Sequence, residues 1–204
     1  MKEALIIFIK NPEPGKVKTR LAATIGNEKA LEIYHHLMLH TREVALKVEV
    51  DRHVFYSQFI DKEDDWSSLE FEKHLQDANP DLGQKMFSSF DSLKKAGYER
   101  VLIVGSDCLE LSPDIIKDGF VLLNENEAVI GPAKDGGYYS IGFNFERLGL
   151  TGTRVMQDIF LGKTWSHEYV YSEAITALDK NGLKWEGLPV LSDVDVEGDV
   201  KHLL

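Results

Sequence analysis

The chain has 204 residues, of which 43% are hydrophobic and 28% charged, with a formal net charge of -11. That length suggests a single domain over residues 1–204, and the ordinary composition argues against a disordered chain. The acidic balance excludes general nucleic-acid binding, the lone cysteine excludes an internal disulfide and fits a reducing compartment, and no segment reaches the roughly 18 apolar residues of a membrane span.

The first three residues lead straight into an apolar run too short for a signal peptide, so a cytoplasmic, soluble protein is expected. That run, residues 4–9, is unbroken, as in a strand buried on both faces. It leads into KNPEPGKVKTRLA, a loop carrying Lys10, Lys16, Lys18 and Arg20 that closes on a helix start. A loop entering a helix N-terminus offers free backbone N–H groups and a dipole favourable to anions. Pro14, Gly15, Lys16, Lys18 and Arg20 are therefore candidate phosphate binders, arginine by a bidentate contact. A solvated basic loop balancing nearby acids fits equally. The loop is not a Walker A motif: Val17 follows Gly15-Lys16, and the earlier glycine is missing. Lys10, at the strand end, is the weakest candidate of the four.

Residues 28–48 place Leu31, Tyr34, Leu37, Met38, Thr41, Val44 and Ala45 at three- and four-residue steps, which predicts an amphipathic helix. His36 and His40 share that helix, but Leu37 stands where a zinc-protease glutamate would be, so they read as ordinary helix histidines. Residues 53–57 predict a strand. Residues 58–80, with an acidic patch at 61–65, read as an irregular surface excursion. Residues 82–96 predict a helix stopped by Gly97.

Residues 100–104 predict a third buried strand that delivers Ser106 and Asp107 at its carboxyl end. A carboxylate there, opposite a phosphate site, suits Mg²⁺, which binds hard oxygens together with substrate phosphates. Capping of the following turn is the alternative. Cys108 reads as a small buried residue. Ser112 and Pro113 open a helix that runs to about residue 123.

Residues 128–130 and 138–143 predict two strands separated by GPAKDGG. Asp135-Gly136-Gly137 fits an ordinary hairpin turn. It also fits a close backbone approach to a nucleotide, with Tyr138 stacking on a base or sugar. Residues 145–165 carry no readable signal. Residues 166–180 predict a helix, 184–190 a last strand and 196–203 a short helix. Within LSDVDVEGD, Asp193 and Asp195 share a face in extended chain, and either could complete a metal site with Asp107. Helix capping by Asp195 is the alternative. The alternation of strands and helices implies an α/β three-layer sandwich with a mixed, mostly parallel central sheet, whose chemistry sits beyond the carboxyl ends of the strands.

FIKNPEPGKVKTRLA, VLIVGSDC, GPAKDGGYYSIGF, the Trp165-Ser166 pair and LSDVDVEGDV, in this order, resemble the GT-A-like transferases described as radical-SAM/selenodomain-associated transferase 1. The resemblance covers nearly the whole chain and implies the nucleotide-diphospho-sugar transferase fold. Leu109 departs from it, since the family usually has proline there. More distantly, the basic loop, Gly-Asp strand end, Asp-Gly-Gly turn and late Asp-x-Asp are similar to the guanylyltransferases that activate 2-phospholactate or phosphoenolpyruvate. The molybdenum-cofactor guanylyltransferases share the layout. By that analogy Lys18 and Arg20 would hold a triphosphate, and Asp107 with Asp193 or Asp195 would hold Mg²⁺ or Mn²⁺.

The resulting expectation is an enzyme, a nucleotidyltransferase that moves NMP from an NTP to a small phosphorylated or carboxylated acceptor. Lys18, Arg20 and Asp107 would be its catalytic residues. The alternatives are a glycosyltransferase using a nucleotide-sugar and a non-catalytic nucleotide-binding protein. The sequence leaves the base, the acceptor and the oligomeric state open.

Overall fold

The apolar run at residues 4–9 lies at the middle of the sheet. In the computed structural model, which describes residues 1–200, the strands are β1 (Glu3–Ile9), β2 (Asp51–Tyr56), β3 (Glu72–Leu75), β4 (Arg100–Val104), β5 (Ala128–Pro132), β6 (Tyr138–Asn144) and β7 (Trp185–Gly187). They form one sheet in the order β3-β2-β1-β4-β6-β5-β7. Every neighbouring pair is parallel except those of β6, which runs antiparallel between β4 and β5.

The helices are α1 (Thr19–Ile25), α2 (Asn27–Leu46), α3 (Leu82–Lys95), α4 (Pro113–Leu122), α5 (Phe145–Leu148), α6 (Gly152–Phe160) and α7 (Val170–Lys180). Side chains alternate across a strand, and β1 shows the result. Leu5, Ile7 and Ile9 enter a core layer with Tyr34 and Met38 of α2 and Ile116 and Phe120 of α4. Ala4 and Ile6 enter the opposite layer with Phe90 of α3, Phe160 of α6 and Leu178 of α7. Burial on both faces explains why this strand has no polar alternation. The architecture is the expected α/β sandwich with a mixed, mostly parallel sheet.

Four local expectations are corrected. The excursion at 58–80 contains β3, which hid behind its polarity because it is an edge strand with one unpaired flank. Its Lys73 is tied down by Asp64 at 2.7 Å and the Asp61 carbonyl at 2.6 Å. Residues 145–165 hold α5, a 3-10 turn at Gly149–Thr151, and α6, whose apolar face is Val155, Met156, Ile159 and Phe160. The helix expected from residue 166 starts at Val170, since Ser166 has φ 67° and cannot sit in a right-handed helix. The last strand is only Trp185–Gly187, because Pro189 has no N–H to continue the ladder. At the chain end a 3-10 turn spans Glu197–Val200; the rest of the helix expected over 196–203 lies outside the described residues. Among the described residues no helix is long and apolar enough to cross a membrane.

Gly83 lies in the first turn of α3, where that helix meets the end of α6. A Cβ there would overlap the Phe160 carbonyl and stand 2.8 Å from Trp165 Cζ2. Gly83→Ala is therefore expected to cost about 1–3 kcal/mol through overpacking. That lowers the unfolding midpoint by about 2–4 °C per kcal/mol, as thermal denaturation would measure.

Candidate functional site

Because β6 alone reverses, β1, β4, β5 and β7 end on one side of the sheet, and β6 begins there. The segments leaving them are stitched together at that end. The Val194 N–H donates to the Asp107 carbonyl (2.9 Å), Lys134 N–H to the Leu191 carbonyl (2.9 Å) and Gly105 N–H to the Tyr139 carbonyl (3.3 Å). The Ser192 N–H donates to the Glu110 carboxylate at 2.7 Å.

The basic loop is anchored at its start by two residues that the sequence did not single out for the site. Asn11, 1% exposed, donates from Nδ2 to the Phe59 carbonyl and accepts at Oδ1 from the Gln58 N–H, both at 2.9 Å. The Tyr34 hydroxyl accepts from Lys10 N–H at 2.8 Å, donates to the Lys10 carbonyl at 3.0 Å and lies 3.2 Å from Ser106 Oγ. Asn11 carried no readable signal, and Tyr34 looked like one more position on the apolar stripe of α2.

The loop then turns at Lys18, the residue before α1, whose backbone is left-handed at φ 45° and ψ 46°. A non-glycine residue in that region carries strain of roughly 1–3 kcal/mol. The Lys18 side chain is only 6% exposed, and its ammonium lies 3.1 Å from Asp107 Oδ2 and 3.2 Å from Asp195 Oδ1. Burial alone would lower the Lys18 pKa, but the charges of Asp107 and Asp195 outweigh it and hold the pKa above its ordinary value. Lys18 thus sits between the carboxylates and does not face them across a gap. A buried ammonium requires counter-charges, and these aspartates provide them.

Arg20 reaches the same cluster from solvent, with Nη1 3.5 Å from Asp195 Oδ2 and 68% of its side chain exposed. Pro14, Gly15 and Lys16 form an exposed tip, where Lys16 pairs with Glu13 at 2.6 Å.

Asp193 is the electrostatic outlier. Burial, then the charges of Asp107, Asp135 and Asp195, push its pKa up to about 8 against the relief given by Lys18. Its Oδ1 is buried without a hydrogen-bond partner. Val194 holds the segment in place by packing with Leu21, Ala30, Ile33 and Leu37 of α1 and α2, and Leu109 packs against the same cluster. Leucine at position 109 therefore serves as an apolar brace under this segment. Asp199 Oδ2 accepts from the Asp195 and Val196 N–H groups, both at 2.9 Å, so the capping role falls to Asp199 and leaves the Asp195 side chain to the cluster. Cys108 is buried, and burial pushes its thiol up to about 12.

The hairpin contributes unevenly. Asp135 accepts from Gly137 N–H at 2.9 Å, a turn role, while its charge reaches Asp193. Gly136, at φ 91°, is packed against the Glu168 backbone, and its carbonyl accepts from Tyr171 N–H at 2.9 Å. Its lack of a Cβ thus serves contact within the chain. The Tyr138 ring packs on Trp165, with centroids 6.4 Å apart, and its hydroxyl lies 4.0 Å from Met86 Sδ. The stacking role expected of Tyr138 does not fit this placement. The structure brings together Lys18, Arg20, Asp107, Asp135, Asp193 and Asp195, with Ser106 beside them.

The hard oxygens of Asp107, Asp193 and Asp195 suit a Mg²⁺ or Mn²⁺ ion, and the unpartnered Asp193 Oδ1 is an available donor. Among the described residues, the one set of three His, Cys, Asp or Glu ligand atoms within 4.8 Å of one another is His53, Glu72 and His74, outside this cluster. The aspartate set is wider because the Lys18 ammonium occupies the space between Asp107 and Asp195.

Comparison with solved structures places this geometry in a known fold. A Desulfovibrio desulfuricans G20 protein, provisionally described as a nucleotide-diphospho-sugar transferase, superposes with a TM-score of 0.87 at 30% identity, over 100% of this chain and 87% of that one. The 4-diphosphocytidyl-2C-methyl-D-erythritol synthase of Anaerococcus prevotii DSM 20548 superposes with a TM-score of 0.63 at 10% identity, covering 98% and 92% of the two chains. A CMP:2-keto-3-deoxy-manno-octonic acid synthetase complexed with CTP gives 0.61 at 8% identity, covering 100% and 97%. At such low identity the last two show the fold alone. A search of curated proteins found no match. A family model matches residues 40–167, more than half of the sequence. The chain therefore has the nucleotide-diphospho-sugar transferase fold and belongs to the family described as uncharacterized protein conserved in bacteria (DUF2064).

Proposed function

We propose that this chain is a Mg²⁺-dependent nucleotidyltransferase that moves NMP from an NTP to a small phosphorylated or carboxylated acceptor. The observation that carries this reading is the buried Lys18 ammonium held between Asp107 and Asp195, next to a carboxylate, Asp193, left without a partner. An acceptor oxygen bonds to the α-phosphorus, the bond from that phosphorus to the bridging oxygen breaks, and pyrophosphate leaves. Such chemistry needs positioning and charge neutralisation more than a covalent nucleophile. Asp107, with Asp193 or Asp195, would hold the metal, which when bound offsets the charge developing on the leaving pyrophosphate. Mn²⁺ would suit the same oxygens.

Lys18 supplies a fixed cation inside the cluster, and Arg20, exposed and 3.5 Å from Asp195, would supply a bidentate donor to the triphosphate. Ser106 and Tyr34 hold the floor between the two loops. Both substrates are small molecules, and the net charge of -11 disfavours a nucleic-acid backbone as partner.

One observation favours a second reading: the 30%-identical Desulfovibrio protein is described as a nucleotide-diphospho-sugar transferase, which would make the donor a nucleotide-sugar. Against it, no Asp-x-Asp follows an early strand here. The one such pair is Asp193 and Asp195, near the chain end, while the loop after β1 is basic.

Incubation with each NTP, Mg²⁺ and a panel of phosphorylated and carboxylated acceptors is expected to release pyrophosphate. Consumption of nucleotide-sugars without NTP turnover would establish the glycosyl reading instead. Asp107→Asn is expected to lower kcat/KM by about 100-fold or more; metal-dependent turnover at the wild-type rate would refute its role.

The two basic residues should separate kinetically. Arg20→Ala is expected to raise KM for the NTP about tenfold with little change in kcat. Lys18→Met should lower kcat itself.

Asp193 makes the metal-free protein pH-sensitive. Folding raises its pKa from 3.8 to about 8, so the folded state holds a proton that the unfolded chain releases. The contribution to stability is complete below the lower value and is lost as pH rises toward the upper one. Asp193→Asn is therefore expected to gain midpoint temperature over wild type, more at pH 8 than at pH 5, by about 2–4 °C per kcal/mol. Saturating Mg²⁺ at pH 8 should reverse that order.

A further inference from the structure

We propose that His53, Glu72 and His74, on the β2–β3 edge of the sheet, bind one divalent cation of the Zn²⁺ class at a site separate from the aspartate cluster. In the parallel register His53 stands opposite Glu72, and Phe55 opposite His74. Alternation along the two strands then puts all four side chains on one face, the face of α3. The aspartates lie beyond the strand ends, whereas His53 lies within β2.

The ligand atoms already approach a coordination triangle. His53 Nδ1 is 3.0 Å from His74 Nε2, His74 Nε2 is 3.4 Å from one Glu72 oxygen, and His53 Nδ1 is 3.7 Å from the other. Tetrahedral Zn²⁺ with bonds of 2.0–2.1 Å requires ligand–ligand edges of about 3.3 Å. The three separations bracket that value, and rotation of the Glu72 carboxylate, 66% exposed, closes the widest one.

The surroundings fix the right tautomer. The Tyr98 hydroxyl donates to Asp51 Oδ2 at 2.9 Å, so its oxygen is left to accept from His53 Nε2–H, also at 2.9 Å. That hydrogen bond leaves the Nδ1 lone pair of His53 pointing at His74 and Glu72. A metal-bound histidine whose other N–H is held by an outer partner has this arrangement. Burial, partly countered by Glu72, lowers the His53 pKa to about 4, and burial lowers that of His74. Phe55 stacks on the His74 ring with centroids 4.7 Å apart and restricts its orientation. His53 is 2% exposed and closes the inner side, while His74 and Glu72 open to solvent and give the ion its path. With three protein ligands, water takes the fourth position. The ion would cross-link the edge strand β3 to β2.

The test titrates the full, chelator-treated chain, without nucleotide, with Co²⁺ as a spectroscopic probe and with Zn²⁺ against a chromophoric chelator. With excess Mg²⁺ present to occupy the aspartate oxygens, the expected result is one equivalent bound, with the visible absorption of tetrahedral Co²⁺ and a rise in unfolding midpoint. Glu72→Gln and His74→Gln, both on the open side of the site, should each weaken binding at least about tenfold, while raising the Mg²⁺ concentration, which suits the aspartate oxygens, should not displace the ion. Absence of stoichiometric binding, wild-type affinity in both edge variants, or displacement of the ion by excess Mg²⁺ would each overturn the proposal.

Discussion

A lysine ammonium cannot be buried without counter-charges, and that requirement organises this molecule. Lys18 comes from the first loop of the chain, Asp107 from the end of the fourth strand, and Asp195 from the last segment. Each partner is held by its own local device. A left-handed residue turns the lysine inward, a fully buried strand carries Asp107 to its carboxyl end, and Asp199 caps the turn that presents Asp195. The aspartates in turn satisfy the lysine, so the loop, the strand end and the final segment stabilise one another.

The balance of charge in the crevice is uneven. Four carboxyl groups, Asp107, Asp135, Asp193 and Asp195, face two cations, Lys18 and Arg20, and the excess falls on the most buried acid, Asp193. A triphosphate brings more negative charge. In the proposed reaction, a cation bound with the nucleotide would have to offset that added charge.

Much of this was legible in the sequence, and the gaps have physical causes. Apolar runs announced β1 and β4 because both faces are buried. Turn and strand-end positions announced Asp107 and Asp135, since backbone chemistry at such places is local. The sequence could not separate Lys18 from Arg20. Both are basic and near a helix start, and only the left-handed backbone at Lys18 decides that one side chain turns in while the other stays out. β3 was missed because an edge strand needs no apolar alternation. The pairing of Asn11 with residues 57–59 and of Tyr34 with Lys10 joins positions far apart in sequence, which no local pattern encodes. Tyr138 misled because its ring, adjacent to a glycine turn, faces a helix layer that the sequence had left blank.

The bond between Lys18 and Asp195 spans 177 positions of the chain. Contacts of such separation close late, since loop entropy must be overcome before they form. A growing chain can pair β1, β2 and β4 and lay down most of its sheet while the lysine still has no second carboxylate. The Lys18–Asp195 pair thus cannot form until residue 195 has been synthesised, after the strands that carry the lysine loop and Asp107.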